Sequence, residues 1–182
     1  MANLSRMSRI GLPLLTVAML AASPAHLPAQ TPPPTGPPAP AGPQEVRVVG
    51  VFLDGRGLQP ALVLQGKRDK RSFAMSIGTA EATGIAFPLE NRVPPRPLTH
   101  DLFLSLFGRL KVTVTRVVVT DLKDGIYYAT VILDADGREI QLDSRPSDAI
   151  ALAVRAKAPV LVEDRVFDKS ELLPGAPPAP RI

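Results

Sequence analysis

Apolar and polar positions change period several times along the chain, and these changes delimit its elements. Glu45 to Asp54 (EVRVVGVFLD) carries β-branched residues on both faces and predicts a strand. Gly55-Arg56-Gly57 predicts a turn, Ala61 to Gln65 a returning strand, and Ser72 to Ile77 a third. Between the last two, Gly66 to Arg71 is a charged loop that suits a solvated hairpin tip. Gly78 to Phe87 predicts a short helix with Ala82, Ile85 and Ala86 inward, stopped by Pro88. After the Pro-rich, basic connection Asn91 to Pro97, Thr99 is set to cap a helix running to about Leu110. In it, Leu102, Phe103, Leu106, Phe107 and Leu110 form an apolar stripe. Lys111 to Leu122 and Ile126 to Asp134 are long β-rich runs joined through Asp124-Gly125, a hairpin signal.

The stretch after the turn Asp134-Ala135-Asp136-Gly137 organises the rest. Up to Asp143 it alternates, with Ile140 and Leu142 on one face and Glu139, Gln141 and Asp143 on the other, which predicts a half-buried strand. From Ala149 to Ala156 it is nearly all apolar and rich in helix formers, which predicts a buried helix. Ser144-Arg145-Pro146 marks the change, with Ser144 as the expected cap and Pro146 tolerated in the first turn, where its missing N–H has no helical partner. Asp143, Arg145, Ser147 and Asp148 thus crowd one strand-to-helix corner. Ala158-Pro159 ends the helix and Val160-Leu161-Val162 predicts a last short strand. Hairpins in sequence with interspersed helices predict an α+β fold, a largely antiparallel or mixed sheet backed by helices.

Composition changes this picture at the two ends. The 21 prolines cluster there. Arg6 and Arg9 precede an apolar run from Ile10 to Ala22, and small residues follow at Ser23-Pro24-Ala25 and Pro28-Ala29-Gln30, the pattern of a secretory signal peptide. The run is too short for a comfortable membrane span. The expected organisation is a signal peptide over residues 1–29, a Pro-rich linker over 30–44, one domain over 45–168 and a Pro-rich tail over 169–182. Export to the periplasm or the medium follows, with no stable membrane span once the leader is removed. The formal charge of +4 includes Arg6 and Arg9; without them 19 basic residues face 17 acidic ones, too even a balance to argue nucleic-acid binding by itself.

Chemistry is narrowed by what is missing. The sequence has no Cys, which excludes disulfides, thiolate metal sites and thiol nucleophiles. His26 lies in the leader, so His100 is the one histidine of the domain, and two-histidine zinc sites are excluded. Neither GxGxxG, a Walker loop, GxSxG nor HExxH occurs. What remains is carboxylates at element ends, Glu81, Asp101, Asp143 and Asp148, with Arg96 and Arg145 able to clamp a phosphate. Magnesium or manganese needs only one or two protein carboxylates when a substrate supplies phosphate oxygens. Each residue also has a structural reading: Asp101 and Asp148 stabilise helix N-termini, Arg145 pairs with Asp143 or Asp148, and His100 is a buried, hydrogen-bonded or capping residue.

Two paired motifs add to this. Arg96-Pro97-Leu98-Thr99-His100-Asp101-Leu102, followed by Asp143-Ser144-Arg145-Pro146-Ser147-Asp148-Ala149-Ile150-Ala151-Leu152-Ala153, resembles the bifunctional nuclease domain. Ile77-Gly78 with Glu81-Ala82, Asp124 to Ala129, and Ala158-Pro159-Val160 look like the same family's other landmarks. The resemblance spans residues 45–168. It implies a compact α+β domain that tends to dimerise and cleaves DNA and RNA. By position it carries over Glu81, Arg96, His100, Asp101, Asp143, Arg145, Ser147 and Asp148. The expected roles are His100, Asp101, Asp143 and Asp148 in catalysis and Arg96, Arg145 and Ser147 on nucleic-acid phosphates. Asp143, Asp148 and Glu81 are the candidate ligands for magnesium or manganese. An export signal departs from the intracellular members expected of such a family. The rivals are a non-catalytic dimeric envelope module whose motifs lock the fold, and a small-molecule or peptide binder using the corner as an anion site.

The leader generates the first test. Mass spectrometry of protein purified from its native host should find the mature chain beginning after Ala25 or Ala29, and a chain still beginning at Met1 or Ala2 would refute export.

Overall fold

The computed structural model describes residues 42–53 and 59–174. The expected leader, the linker up to residue 41, the Gly55-Arg56-Gly57 turn and the tail from residue 175 lie outside the described residues. The elements run β1 (Gln44–Leu53), β2 (Pro60–Gly66), β3 (Ser72–Ser76), α1 (Thr79–Leu89), α2 (Thr99–Arg109), β4 (Val112–Lys123), β5 (Ile126–Ala135), β6 (Arg138–Ser144), α3 (Pro146–Ala156), β7 (Val160–Val162) and α4 (Asp164–Lys169). This is the expected α+β architecture. The strands form one mixed sheet in the order β3-β2-β1-β7-β4-β5-β6. Neighbours pair antiparallel except β4 and β7, which run parallel, as the intervening helix α3 requires.

The sheet is strongly coiled. Four strands separate β3 from β5, yet the ring of Phe73 on β3 stacks on Tyr127 of β5 at 5.7 Å, and Phe167 of α4 meets Phe73 edge-on at 5.2 Å. Accumulated right-handed twist brings such distant strands together. Inside the curl lies α3, touching α1, α2, β4 and β5. Ala149, Ile150, Ala151 and Ala153 are fully buried, as the apolar run predicts. Three alanines let neighbouring helices approach closely, while Ile150 supplies bulk; full burial of one such side chain contributes about 1.5–3 kcal/mol.

Several local expectations are corrected. Pro88 does not stop α1 but sits in its last turn, where its ring still fits and only one helical bond is lost. Leu98 rather than Thr99 is the N-cap of α2, and the Asp101 carboxylate accepts the Leu98 N–H at 2.8 Å. Arg145 rather than Ser144 is the N-cap of α3; the Ser144 hydroxyl donates instead to the Arg145 carbonyl at 3.1 Å. Helix α4 has no counterpart in the hydrophobic pattern, because only Val166 and Phe167 are buried and six residues are too few to show a period.

The charged loop is not a free hairpin tip. Arg68 and Arg71 both reach Asp164 of α4, at 3.0 and 2.8 Å, and Arg71 also pairs with Asp69 and Asp168 and lies 4.6 Å from the centre of the Phe167 ring. The cluster clasps α4 to the β2–β3 hairpin. Beyond α4, Leu172 bridges to Phe73 and the Leu173 N–H donates to the Ser72 carbonyl at 2.8 Å.

The larger correction concerns the apolar stripe of α2. Leu102, Phe103, Leu106 and Leu110 are 47–66% exposed, and Phe107 alone of the stripe packs against the core. Strand β6, expected half-buried, is an edge strand with Ile140 and Leu142 exposed. Leu142 pairs with Val131 and Ile140 with Leu133, so both lie on the helix-covered face of the sheet, beyond the last helix.

One buried pair pins α2 to α3. Arg155, whose side chain is 8% exposed, donates from Nε to Asp101 at 2.7 Å and also to the carbonyls of Gly84 and Ala151. Desolvation pushes the Asp101 carboxyl up, but the Arg155 and Leu98 hydrogen bonds and the nearby positive charge outweigh it and hold it below the usual range. Arg155→Leu should therefore cost about 3 kcal/mol or more in urea denaturation, because it strands a partly buried carboxylate. A carboxylate with a lowered folded-state pKa stabilises above its unfolded value of about 3.9 and loses that contribution as pH falls through the folded value. The wild type should thus destabilise on acidification below about pH 4 more steeply than Arg155→Leu.

Candidate functional site

The corner between β6 and α3 carries a chain of four charged or polar side chains drawn from separate elements. Arg145 has extended backbone (φ −67°, ψ 139°), so its side chain leaves the sheet as Pro146 begins the helix. Its Nε donates to Asp148 Oδ2 at 2.7 Å and its Nη2 to Glu81 Oε1 at 2.6 Å. The other Asp148 oxygen, Oδ1, meets His100 Nε2 at 3.3 Å. Glu81 comes from the first turn of α1, Asp148 from the first turn of α3, and His100 from the first turn of α2. Three helix N-termini thus converge, and their dipoles favour carboxylates there. The Asp148 hydrogen bond first, then that of Glu81, raises the Arg145 pKa above its ordinary value, so the guanidinium is a permanent cation at this corner.

Two glycines make the approach possible. The Glu81 carboxylate folds back over its own helix start into the space that a Cβ on Gly78 would occupy, so any larger residue there would displace it. A Cβ on Gly84 would lie 2.9 Å from His100 Nδ1, so α1 leaves room for the buried imidazole between itself and α2.

Arg145, Asp148, His100 and Thr99 form a wall between two clefts. One, of about 480 Å³, opens between α2 and the end of β6, with Asp143 and Ser144 on its rim and Phe103, Phe107, Leu142 and Leu152 as its apolar lining. The other, of about 400 Å³, lies on the α1 side with Glu81 and Thr83. Asp143 is exposed at the mouth of the first cleft.

The remaining predicted site residues stand elsewhere. Asp101 is held by Arg155 and, with Arg96, lines a separate recess of about 360 Å³ walled by Pro94, Pro95 and Pro97. Ser147 is buried, at 7% exposure, and faces a hollow beside Ile77 and Tyr127. Gly84 and Arg155 escaped the sequence reading. Arg155 had left a signal, a lone cation in a helix otherwise built of Ala, Ile, Leu and Val, whose burial demands a partner. Gly84 had left none, since its role depends on where another helix lies.

The donors suit a hard cation in kind. Glu81, Asp143 and Asp148 offer only oxygen, and three carboxylates against one guanidinium leave the corner acidic, so a phosphodiester needs added positive charge to enter. In arrangement, no group of three or more His, Cys, Asp or Glu among the described residues is spaced to hold a metal ion. A magnesium-like ion with one or two protein carboxylates, its other positions filled by water and phosphate, remains compatible with that spacing. Among the described residues no helix is long and apolar enough to cross a membrane.

Comparison with known proteins bears on both fold and corner. An uncharacterized protein of Mycobacterium tuberculosis (strain ATCC 25618 / H37Rv) is 40% identical over 129 residues, covering 71% of this chain and 77% of the relative. The protein called bifunctional nuclease 1 of Oryza sativa subsp. indica is 35% identical over 81 residues, 43% of this chain and 24% of the rice protein. A relative from Oryza minuta, called bifunctional nuclease, matches to the same extent. The family model described as the bifunctional nuclease domain matches residues 62–174, which takes in every member of the Glu81–Arg145–Asp148–His100 chain, and the protein therefore belongs to the bifunctional nuclease domain family.

Proposed function

We propose that this protein is an exported nuclease that hydrolyses phosphodiester bonds of DNA and RNA with a divalent ion, magnesium or manganese. The observation that carries the reading is the acidic corner itself, a fixed guanidinium between carboxylates at the mouth of an open cleft, within a domain of a nuclease family. Asp143 and Asp148 would hold the ion, with Glu81 the further candidate; bound there, it supplies charge neutralisation and a more acidic water. Arg145 spends Nε and Nη2 on carboxylates, which leaves Nη1 to meet a phosphate oxygen. In the reaction a water oxygen bonds to phosphorus as the ester P–O bond breaks. The water's proton is lost to solvent as the new bond forms, and the leaving oxygen is protonated from solvent. His100 is buried and turned onto Asp148, so it acts through Asp148 as a positioning residue. Asp101 and Arg96 lie outside this chemistry.

The reading includes a homodimer. Leu102, Leu106 and Leu110 recur at helical spacing along α2 and its C-cap and are 48–66% exposed, and contiguous exposed apolar residues mark interaction sites. A second copy meeting that face isologously would cover it.

A non-catalytic dimeric envelope module is the second reading. It is favoured by one observation, that both Asp148 oxygens and Glu81 Oε1 already have protein partners, as a purely structural lock would. Asp143→Asn separates the two. In the nuclease it should reduce cleavage of single-stranded DNA or RNA at least tenfold, about 1.4 kcal/mol of transition-state stabilisation, while the urea midpoint stays close to wild type. Wild-type protein inactive with magnesium, manganese and calcium alike would leave the structural module. For the dimer, sedimentation should give twice the chain mass for wild type and the monomer for Leu106→Glu; a monomeric wild type would remove the dimer from the reading.

A further inference from the structure

The cleft beside the corner is larger and more apolar than phosphate chemistry requires. At about 480 Å³ it lies in the range that encloses a small organic ligand, whereas a phosphate needs only the Arg145 edge. Its lining is mixed: Arg145, Asp143 and Ser144 are polar, and Phe103, Phe107, Leu142 and Leu152 are apolar. Phe103 is the informative residue. It lines the cleft from α2 and is 47% exposed, and its ring sits 6.2 Å from that of Phe107 at a tilt of 56°. Leu142 closes the opposite side from the edge strand, 43% exposed.

A nucleotide has the same division. Its phosphate is anionic, its sugar is polar, and its base is a flat, largely apolar ring with hydrogen-bonding edges. Aromatic side chains that accept a base by stacking do so without regard to its identity. A base within a duplex is stacked on both faces and paired at its edge, and cannot enter a cleft on a protein surface without leaving the helix.

We propose that the Phe103–Leu142 cleft is a nucleobase subsite, and that it makes the protein select unpaired nucleotides of either sugar. The base stacks on Phe103 between α2 and β6, while the adjoining phosphodiester meets Arg145. Thr99 and Ser144, at the rim, offer hydroxyls to the base edge or the sugar without demanding one base. This assignment rests on the nuclease reading and deepens it by naming the state of the substrate.

Equilibrium binding tests it apart from cleavage. The probe, with magnesium present throughout, is a fluorescein-labelled ten-nucleotide thymidine strand with phosphorothioate linkages, measured against a strand of the same length and charge built from abasic units. Wild type should bind the base-bearing strand about tenfold more tightly than the abasic one, and an unlabelled duplex should compete poorly. Phe103→Ala should abolish the preference and leave abasic binding and dimer mass unchanged, and Phe103→Tyr should restore it. Equal binding of the two strands by wild type, an undiminished preference in Phe103→Ala, or no binding of either strand would overturn the subsite. Cleavage by a wild type that binds both strands equally would sink the subsite and spare the nuclease. Base-dependent binding with no cleavage in any divalent ion would do the reverse.

Discussion

Arg145 is the point on which three helix starts depend. Its guanidinium is shared between Glu81 of α1 and Asp148 of α3, and Asp148 in turn holds His100 of α2. Each carboxylate lies in a first turn, where the helix dipole already favours it, so the cation collects interactions that the helices have prepared. Helices α1 and α2 meet at the corner because both pack against α3, which is buried at the centre of the curl. The packing of an alanine-rich helix and the geometry of a charged corner are therefore one constraint.

Two ion pairs at these helix starts do different work, and burial tells them apart. The Arg155 side chain is 8% exposed and its loss strands Asp101 in the α2–α3 contact. The Arg145 side chain is 68% exposed, where solvent screens Coulomb energy and a pair adds little to stability. An arrangement of two carboxylates around an exposed cation thus has more value as positioning than as glue. The same contrast explains why Asp101 and Asp148, each an acid in the first turn of its helix, part company: one is a fastening, the other stands at the mouth of a cleft.

The surface around α2 and β6 is the second organising feature. Six large apolar side chains are exposed there, on a helix whose outer face no other described element covers and on a strand at the edge of the described sheet. An edge strand bearing Ile140 and Leu142 invites pairing or coverage, and natural sheets seldom leave such an edge bare. On the proposed reading, the cleft would take a ligand of mixed character and the exposed leucines an apolar partner.

The sequence by itself determined the local elements and the corner. Alternation through Leu142, the alanine-rich run after Pro146 and the Asp-Gly turns are read within a few residues of one another, and neither β6, α3 nor the β4–β5 hairpin needed distant contacts to be recognised. The paired motifs around His100 and Arg145 likewise fixed which residues to examine. Only the tertiary structure decided which of them meet. Asp101 stands one residue from His100, yet a helix turns successive side chains by about 100°, sending one to Arg155 and the other to Asp148. The stripe on α2 was plain in the sequence, but an apolar face says only that it will be covered, not whether core, partner or ligand covers it. Helix α4 and its clasp to the charged loop were invisible for a related reason, since Arg71 and Asp164 lie far apart in the chain and short elements acquire their stability from contacts that no local pattern records.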